Sequence, residues 1–204
     1  MALRALDRIG IRRLVLVERD LTAPQPPIGA LPGVELRRLT EDDVGAVVAL
    51  RPSLDAGAVC RRFDAGHIGI GAWDGDRLVS AVWFSLGEAW IPELDRRLEL
   101  ASGQAFGYDS FTAPDWRGRG VASYRSTFAA RVLTTLGQHH AVGFIMVHNR
   151  SSRRSSLKSG YRPFGTIGRV RIGPWRRDFL RVEGRRRWVA PDATLDVLSR
   201  RAAR

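Results

Sequence analysis

The stretch that decides the fold spans residues 109–122, Asp109-Ser110-Phe111-Thr112-Ala113-Pro114-Asp115-Trp116-Arg117-Gly118-Arg119-Gly120-Val121-Ala122. Residues 104–112 read as a strand. From Gly118 to about Leu136, the residues Val121, Tyr124, Phe128, Val132 and Leu136 recur every three or four positions, one face of an amphipathic helix. Gly137 stops that helix. The first turn of a helix leaves amide N–H groups unpaired and carries partial positive charge. Gly118 and Gly120 lack Cβ atoms, so the chain curls tightly and an anion approaches the backbone closely. Small Ala122 keeps the first turn clear, and Arg117 and Arg119 add charge suited to phosphate. The stretch reads as a diphosphate cradle made mainly of main chain. A Walker loop would need a Gly-Lys-Ser/Thr ending, and a dinucleotide fingerprint a third glycine where Ser123 stands.

Outward from this point, residues 141–147 form a nearly unbroken apolar run, as in a strand covered on both faces. Polar residues 150–159 predict a short helix, 161–172 and 178–182 read as strands, and the tail from Pro191 as a short amphipathic helix or frayed end. On the N-terminal side, residues 11–21 read as a strand with Leu14, Leu16 and Val17 supplying apolar side chains. Pro24, Pro26, Pro27 and Pro32 make 22–33 an irregular wrap. Val34, Leu36 and Leu39 mark the next strand. Thr40 and Asp43 resemble a capping box at the head of a helix over about 41–50, which Pro52 ends, and 54–64 reads as a second helix. Residues 66–73 and 77–86 flank Asp74-Gly75-Asp76, a hairpin turn. Residues 88–103 read as a loop around Trp90 and Pro92 with a short helix through Leu94, Leu98 and Leu100. This alternation predicts one layered α/β (α+β) domain. The chain divides into an N-terminal strand and Pro-rich wrap at 1–32, a main domain at 33–190 and a tail at 191–204.

Bulk composition narrows the function. A chain of 204 residues suits one well-formed domain. Cys60 is the only cysteine, which excludes an internal disulfide and a cysteine-rich metal site and fits a reducing compartment. His139, His140 and His148 show no metal-ligand spacing, so no metal is expected. No run approaches the roughly 18 apolar residues that span a bilayer. Arg4, Asp7, Arg12 and Arg13 interrupt the N-terminal apolar stretch, so neither a signal peptide nor a membrane anchor is expected, and the expected location is cytoplasmic. The net charge of +12 is carried almost wholly by arginine, Lys158 being the sole lysine. That excess admits anionic partners: nucleic acid, an acidic surface or a multiply phosphorylated cofactor.

At the glycine loop the sequence resembles the GNAT superfamily of N-acetyltransferases, because Arg117, Gly120 and Ala122 fill the three defining places of its Arg/Gln-x-x-Gly-x-Gly/Ala signature. Residues 109–116 look like that family's strand, bulge and proline-containing lead-in. Downstream, His148-Asn149 follows the apolar strand, and Lys158-Ser159-Gly160-Tyr161 resembles the closing Lys-x-Gly-Phe/Tyr element. The likeness covers roughly residues 33–165. It implies a central mixed sheet with splayed strands flanked by helices, to which the N-terminal strand is an addition. It also implies an N-acyltransferase that moves an acyl group from acetyl-CoA, or from a longer acyl-CoA, to an amine on a small molecule or peptide.

Site residues follow from the same resemblance. The backbone of Ser110, Phe111 and Thr112 would run along the pantetheine arm and polarise the thioester carbonyl. Arg117, Gly118, Arg119, Gly120, Val121 and Ala122 would hold the pyrophosphate. Asn149 would reach the cofactor from the other side, at a place where it also reads as a helix N-cap. Many members carry a tyrosine seven places after that Asn as proton donor; here the place is Ser156, whose hydroxyl relays a proton at best through water. A glutamate found in some relatives five before the Asn is here Phe144. Asp109 is the nearest substitute base, and it reads equally as a strand-end carboxylate bonded to an arginine. Glu88 and Glu93 lie where an acceptor pocket is expected. Tyr108, Tyr124 and Tyr161 are further donors, each also readable as a core aromatic.

Two other readings compete. Arg150, Arg153 and Arg154, then Arg176 and Arg177, then Arg185, Arg186 and Arg187 with Trp188, are basic clusters with aromatic interleaving, as in a module that binds nucleic acid or an acidic polymer. No DNA-reading signature accompanies them, so nucleic acid is the less favoured partner. The other reading is a GNAT fold that binds coenzyme A and has lost turnover. Homodimerisation stays open.

Overall fold

The computed structural model describes residues 9–24, 31–182 and 184–189. Along these the chain forms β1 (Ile9–Asp20), β2 (Val34–Arg38), α1 (Val44–Leu50), α2 (Ala56–Asp64), β3 (Ile68–Asp74) and β4 (Arg77–Ser85). It continues with β5 (Glu88–Ile91), β6 (Arg96–Glu99), β7 (Gln104–Thr112), α3 (Val121–Thr135), β8 (His140–Met146), α4 (Arg150–Lys158), β9 (Arg162–Ile172), β10 (Trp175–Val182) and β11 (Arg185–Val189). Nine strands make one mixed sheet in the order β11-β10-β9-β1-β8-β7-β4-β3-β2, and β5 and β6 pair separately. β7 and β8 are parallel; the other neighbours run antiparallel.

Local chemistry explains most of these elements. Asp43 accepts hydrogen bonds from the Thr40 amide (2.8 Å) and from two guanidinium nitrogens of Arg37 (both 2.8 Å), closing the tight turn that leads into α1. The Asp55 carboxylate accepts from the Ala58 amide at 2.7 Å and starts α2. β3 and β4 join through a two-residue turn in which Gly75 takes φ 54°. Both strands are buried along nearly their whole length, because both faces of the sheet are covered there.

On one face, Ala129, Ala130 and Leu133 of α3 pack on Ile68, Ile70, Val82, Phe84, Ala105 and Ala141. The opposite face is covered in two parts. Val47 and Val59 of α1 and α2 lie with Leu39, Trp73, Leu78, Ala81 and Trp83, and the β5–β6 hairpin lies with Leu14, Leu16, Phe106, Val142, Ile167 and Leu180. Each fully buried Leu, Ile or Phe in these layers stabilises by roughly 1.5–3 kcal/mol.

Four features differ from the sequence reading or go beyond it. Residues 88–103 hold a β-hairpin in place of the expected loop and short helix. Leu94 and Leu98 are spaced like a helical face, but Ala89 and Ile91 alternate with exposed Glu88 and Trp90, the strand period. The hairpin is pinned from afar: buried Arg96 donates to Asp178 on β10, and Asp178 also accepts from Arg169 at 2.6 Å and 3.0 Å. Secondly, 185–189 is a strand, β11, where only a basic cluster was read. Thirdly, β1, grouped from sequence with the Pro-rich wrap at 1–32, is an interior strand between β8 and β9. The long helix begins at Val121 rather than Gly118, with Gly120 as its N-cap. Residues 25–30 of the wrap and the tail from Pro191 lie outside the described residues.

Candidate functional site

The site begins where two parallel strands part. β7 and β8 pair only from Gln104↔His140 to Gly107↔Gly143. A Cβ on Gly143 would lie 3.1 Å from the Gly107 carbonyl oxygen, so the glycine at 143 lets the strands close tightly at this crotch. Just above it β7 bulges. Tyr108 stands opposite Trp83 and Phe111 opposite Ala81, which leaves Asp109 and Ser110 facing Val82 alone. Asp109 takes φ 47°, a left-handed conformation that Asp tolerates better than most side chains. The bulge bends β7 away while β8 stays paired with β1, and a cleft of about 790 Å³ opens between them. Its lining includes Val17, Gly107, Ser110, Phe111 and Thr112 on the strand side, with residues of the α3 mouth and of α4.

The mouth of α3 opens into this cleft. Gly120 caps the helix at φ 82°, ψ −4°, and no side chain supplies a cap hydrogen bond. A Cβ on Gly118 or Gly120 would point into open space. Gly118, Gly120, Val121 and Ala122 all line the cleft. Arg117 lines it too, held by its Nε donating to the Thr112 carbonyl at 3.2 Å. Arg119 behaves differently: its guanidinium stacks over Trp116 at 5.0 Å, and the residue is not part of the cleft wall.

The opposite wall is α4. Asn149 accepts from the Ser152 amide and the Ser151 hydroxyl, both at 3.0 Å, so it does cap this helix, and it also lines the cleft. Ser156 is on the wall, together with Ser151, Ser152, Ser155 and Ser159. Arg154 and Lys158 face the cleft as well. The sequence reading passed over these two cations as cleft residues. Their separation of four, on a helix whose serines recur at the same spacing, was the available signal.

One residue beneath the bulge was also missed. Arg125 of α3 is buried, with no ion pair among the described residues, and it lines the cleft. It donates to the Ala81 and Phe111 carbonyls at 2.7 Å and 2.9 Å, to the Ser110 hydroxyl at 2.7 Å, and to the Ser80 hydroxyl. Ser80 also donates to the Phe111 carbonyl at 2.9 Å. The guanidinium thus fills the hydrogen-bonding gap that the bulge opens between β4 and β7. Burial pulls its pKa down to about 9, which leaves it charged at neutral pH. An arginine inside an apolar helical pattern gives no sequence sign of this role.

Asp109 lies on the other face of the sheet. Arg51 and Arg62 each hold one of its carboxylate oxygens at 2.7 Å, as expected for a strand-end structural carboxylate. Neighbouring Tyr108 is bonded to His67 Nδ1 at 2.6 Å. Burial pushes the phenol up to about 12, and burial, with Arg62 nearby, lowers the His67 pKa. A protonated phenol and a neutral ring share this bond, and the tautomer of the ring sets which of the two donates. Tyr161 reaches the cleft wall, and its pKa is raised by burial against the pull of Arg19 and Arg125. Tyr124 packs against the core cluster of Val34, Ala72, Val79 and Val121, away from these groups. Glu88 makes an exposed 3.6 Å contact with Arg97, and Glu93 sits at the hairpin tip; neither lines the cleft. Phe144 does line it, and its ring lies tilted beside that of Phe106 with centres 5.7 Å apart.

Among the described residues, no cluster of three or more His, Cys, Asp or Glu is placed to hold a metal ion, and no helix is long and apolar enough to cross a membrane. No protein-family model and no curated protein matches the sequence. Solved structures do match. A protein of Novosphingobium aromaticivorans assigned to the GNAT acetyltransferases superposes with a TM-score of 0.58 at 20% identity over 81% of this chain. A GNAT-family acetyltransferase of Colwellia psychrerythraea gives 0.58 at 14% over 84%, and a GCN5-related N-acetyltransferase of Sphaerobacter thermophilus gives 0.57 at 16% over 95%. The chain spans 66%, 62% and 58% of those three proteins respectively. At such identities the likeness is one of fold, and the fold of this chain is that of the GNAT acetyltransferases.

Proposed function

We propose that the chain is an N-acyltransferase that moves an acyl group, acetyl in the first instance, from acyl-CoA to an amine on a small molecule or peptide. The observation that carries this reading is the uncapped mouth of α3, which faces a cleft between parting parallel strands. Amides of Val121, Ala122 and Ser123 have no acceptor within their own helix and suit a diphosphate. Arg117, Arg154 and Lys158 line the same cleft and add positive charge for the remaining phosphate. The serine-rich wall of α4 and the unpaired edge of β7 at Ser110 and Thr112 suit the amides of a pantetheine arm.

In the reaction a neutral amine nitrogen attacks the thioester carbonyl, and a C–N bond forms as the C–S bond breaks. The nitrogen gives up one proton and the departing thiolate takes one. Amide groups of the bulged β7 strand, held in place by Arg125, are the donors available for the carbonyl oxygen. Ser156 faces the cleft and can pass a proton only through water. Asp109 serves as base only if Arg51, whose side chain is 34% exposed, releases it. That double clamp favours one further reading, a coenzyme-A-binding fold without turnover.

Two measurements separate these readings. Thermal unfolding with acetyl-CoA, coenzyme A and longer acyl-CoAs tests binding; no rise with any of them sinks both readings. Thiol release from acetyl-CoA across a panel of amines tests turnover. A melting shift with no thiol release from any amine leaves the silent fold standing alone.

A further inference from the structure

Among the described residues, the sheet face that carries α3 is exposed at its β9–β11 end. Paired residues share a face and successive residues alternate. The registers Ile11↔Val170, Trp175↔Ile172 and Trp188↔Phe179 therefore put these six side chains on one side. Four of them are large, apolar and exposed: Ile11 (65%), Ile172 (52%), Trp175 (47%) and Trp188 (49%). Arg13↔Gly168 and Arg181↔Arg186 add three arginines to the same side, and Arg177, opposite Val170, adds a fourth. All four arginines are exposed. No described residue on this stretch of face is acidic.

The two tryptophans stand as plates beside cations. The Arg177 guanidinium lies 5.9 Å from the Trp175 ring centre, and that of Arg186 lies 5.8 Å from Trp188. Phe179 supports Trp188 edge-on at 6.2 Å. Trp175 is four residues along β10 from Phe179, and Trp188 is opposite Phe179 on the next strand, so the indoles are about 14 Å apart. A few nucleotides of single strand cover that distance. Basic side chains that follow a backbone, interleaved with aromatic plates, are the recurrent means of holding unpaired nucleic acid. A duplex keeps its base faces stacked inside and offers the indoles nothing. A second copy seated on this face would set four arginines against four. An anionic lipid surface attracts the same side chains, but these rings belong to paired strands rather than to a protruding loop.

We propose that this face docks single-stranded nucleic acid, with Trp175 and Trp188 stacking bases and Arg13, Arg177, Arg181 and Arg186 neutralising phosphates. The sequence showed only scattered basic runs. Strand pairing sorts them: Arg177 and Arg186 fall on the open face, whereas Arg176 and Arg185 fall on the other. The surface is independent of the acyl-CoA cleft.

Fluorescence anisotropy of the full chain with labelled oligo-dT and oligo-rU of about 20 nucleotides tests it, against a duplex of equal length and phosphatidylserine vesicles. Single strands are expected to bind more tightly than duplex. For four phosphates the affinity should fall with a log–log salt slope of about −2.8, or about 50-fold between roughly 50 and 200 mM. Trp175→Ala and Trp188→Ala should each weaken binding at least about 5-fold. Arg177→Ala with Arg181→Ala should flatten the slope by about 1.4. None of these changes should alter the melting temperature by more than about 2 °C or remove an acetyl-CoA-induced shift. No binding to either oligonucleotide at about 50 mM salt overturns the proposal, as does tighter binding to duplex or binding indifferent to both tryptophans. Vesicle binding without oligonucleotide binding, or a tryptophan-dependent dimer in sedimentation without it, overturns it in favour of another occupant.

Discussion

Replacing Gly120 by valine should separate the stability of the fold from its capacity to hold a diphosphate. Gly120 sits at φ 82°, and its missing Cβ would meet no atom within 4 Å. A Cβ there therefore suffers backbone strain but no clash with the protein. Left-handed strain for an L-residue is about 1–2 kcal/mol, and in a chain of this size about 2–4 °C of melting temperature corresponds to each kcal/mol. The variant should melt about 2–8 °C lower. The open space that spares the fold is the place where a phosphate would meet the first amides of α3. Blocking two charge-assisted backbone hydrogen bonds, each about 1.5–3 kcal/mol, lowers affinity by more than about 100-fold. At a concentration of about 100 times the native dissociation constant, acetyl-CoA should raise the native melting temperature by about 5–11 °C. For the variant at the same concentration the rise should be about 1 °C. Gly120→Ala carries the same strain with less obstruction and should keep part of the shift. Thermal unfolding with and without acetyl-CoA reads all of these. A valine variant that keeps the full shift refutes the cradle; one that melts more than about 10 °C lower without ligand refutes the claim that strain is the only structural cost.

Other perturbations address the scaffold and the bulge. Asp178→Asn removes the charge that buried Arg96 and Arg169 share; a loss of about 3–5 kcal/mol in urea unfolding is expected, and a loss below about 1 kcal/mol would mean the hairpin is held by apolar contacts alone. Burial by itself would raise the Asp178 pKa, but hydrogen bonds from Arg169 and Arg96 outweigh it and hold it below the ordinary value, and Arg37 does the same for Asp43. With folded values depressed, this stability is complete above the unfolded carboxylate value of about 3.9 and is lost as pH falls below it. Unfolding free energy should be flat from about pH 6 to 5 and drop below about pH 4, less steeply in Asp178→Asn; an equal slope in the variant would assign the drop to other carboxylates. Asp109→Asn should lower stability by about 1–3 kcal/mol while any acyl transfer slows by less than about tenfold. A loss beyond about 100-fold with unchanged melting would make Asp109 the base.

How much of this was legible in advance depended on how far apart the interacting residues are in the chain. The cradle from Arg117 to Ala122 is a local motif: positive φ at Gly118 and Gly120, and the helix period from Val121, are written in adjacent residues. The same holds for Asn149 as cap of α4 and for the Asp43 carboxylate at the head of α1. What escaped was set by partners far along the chain. Leu94 and Leu98 looked helical because the strand period around them is short, and Arg96 is explained only by Asp178, 82 residues away. β1 became an interior strand because β8 and β9, more than a hundred residues later, offer it two edges. Arg125 stands within the apolar helical pattern with no local partner to explain it, and only the bulge at Asp109–Ser110, which leaves the Phe111 and Ala81 carbonyls for it to bind, gives it a role. The bulge thus has two consequences at once. It parts β7 from β8 to open the cleft, and it turns Asp109 to the far face into the grip of Arg51 and Arg62. The carboxylate that the sequence offers as a base is thus gripped by two arginines, of which Arg51 lines the cleft, so the Asp109→Asn measurement decides whether that carboxylate takes part.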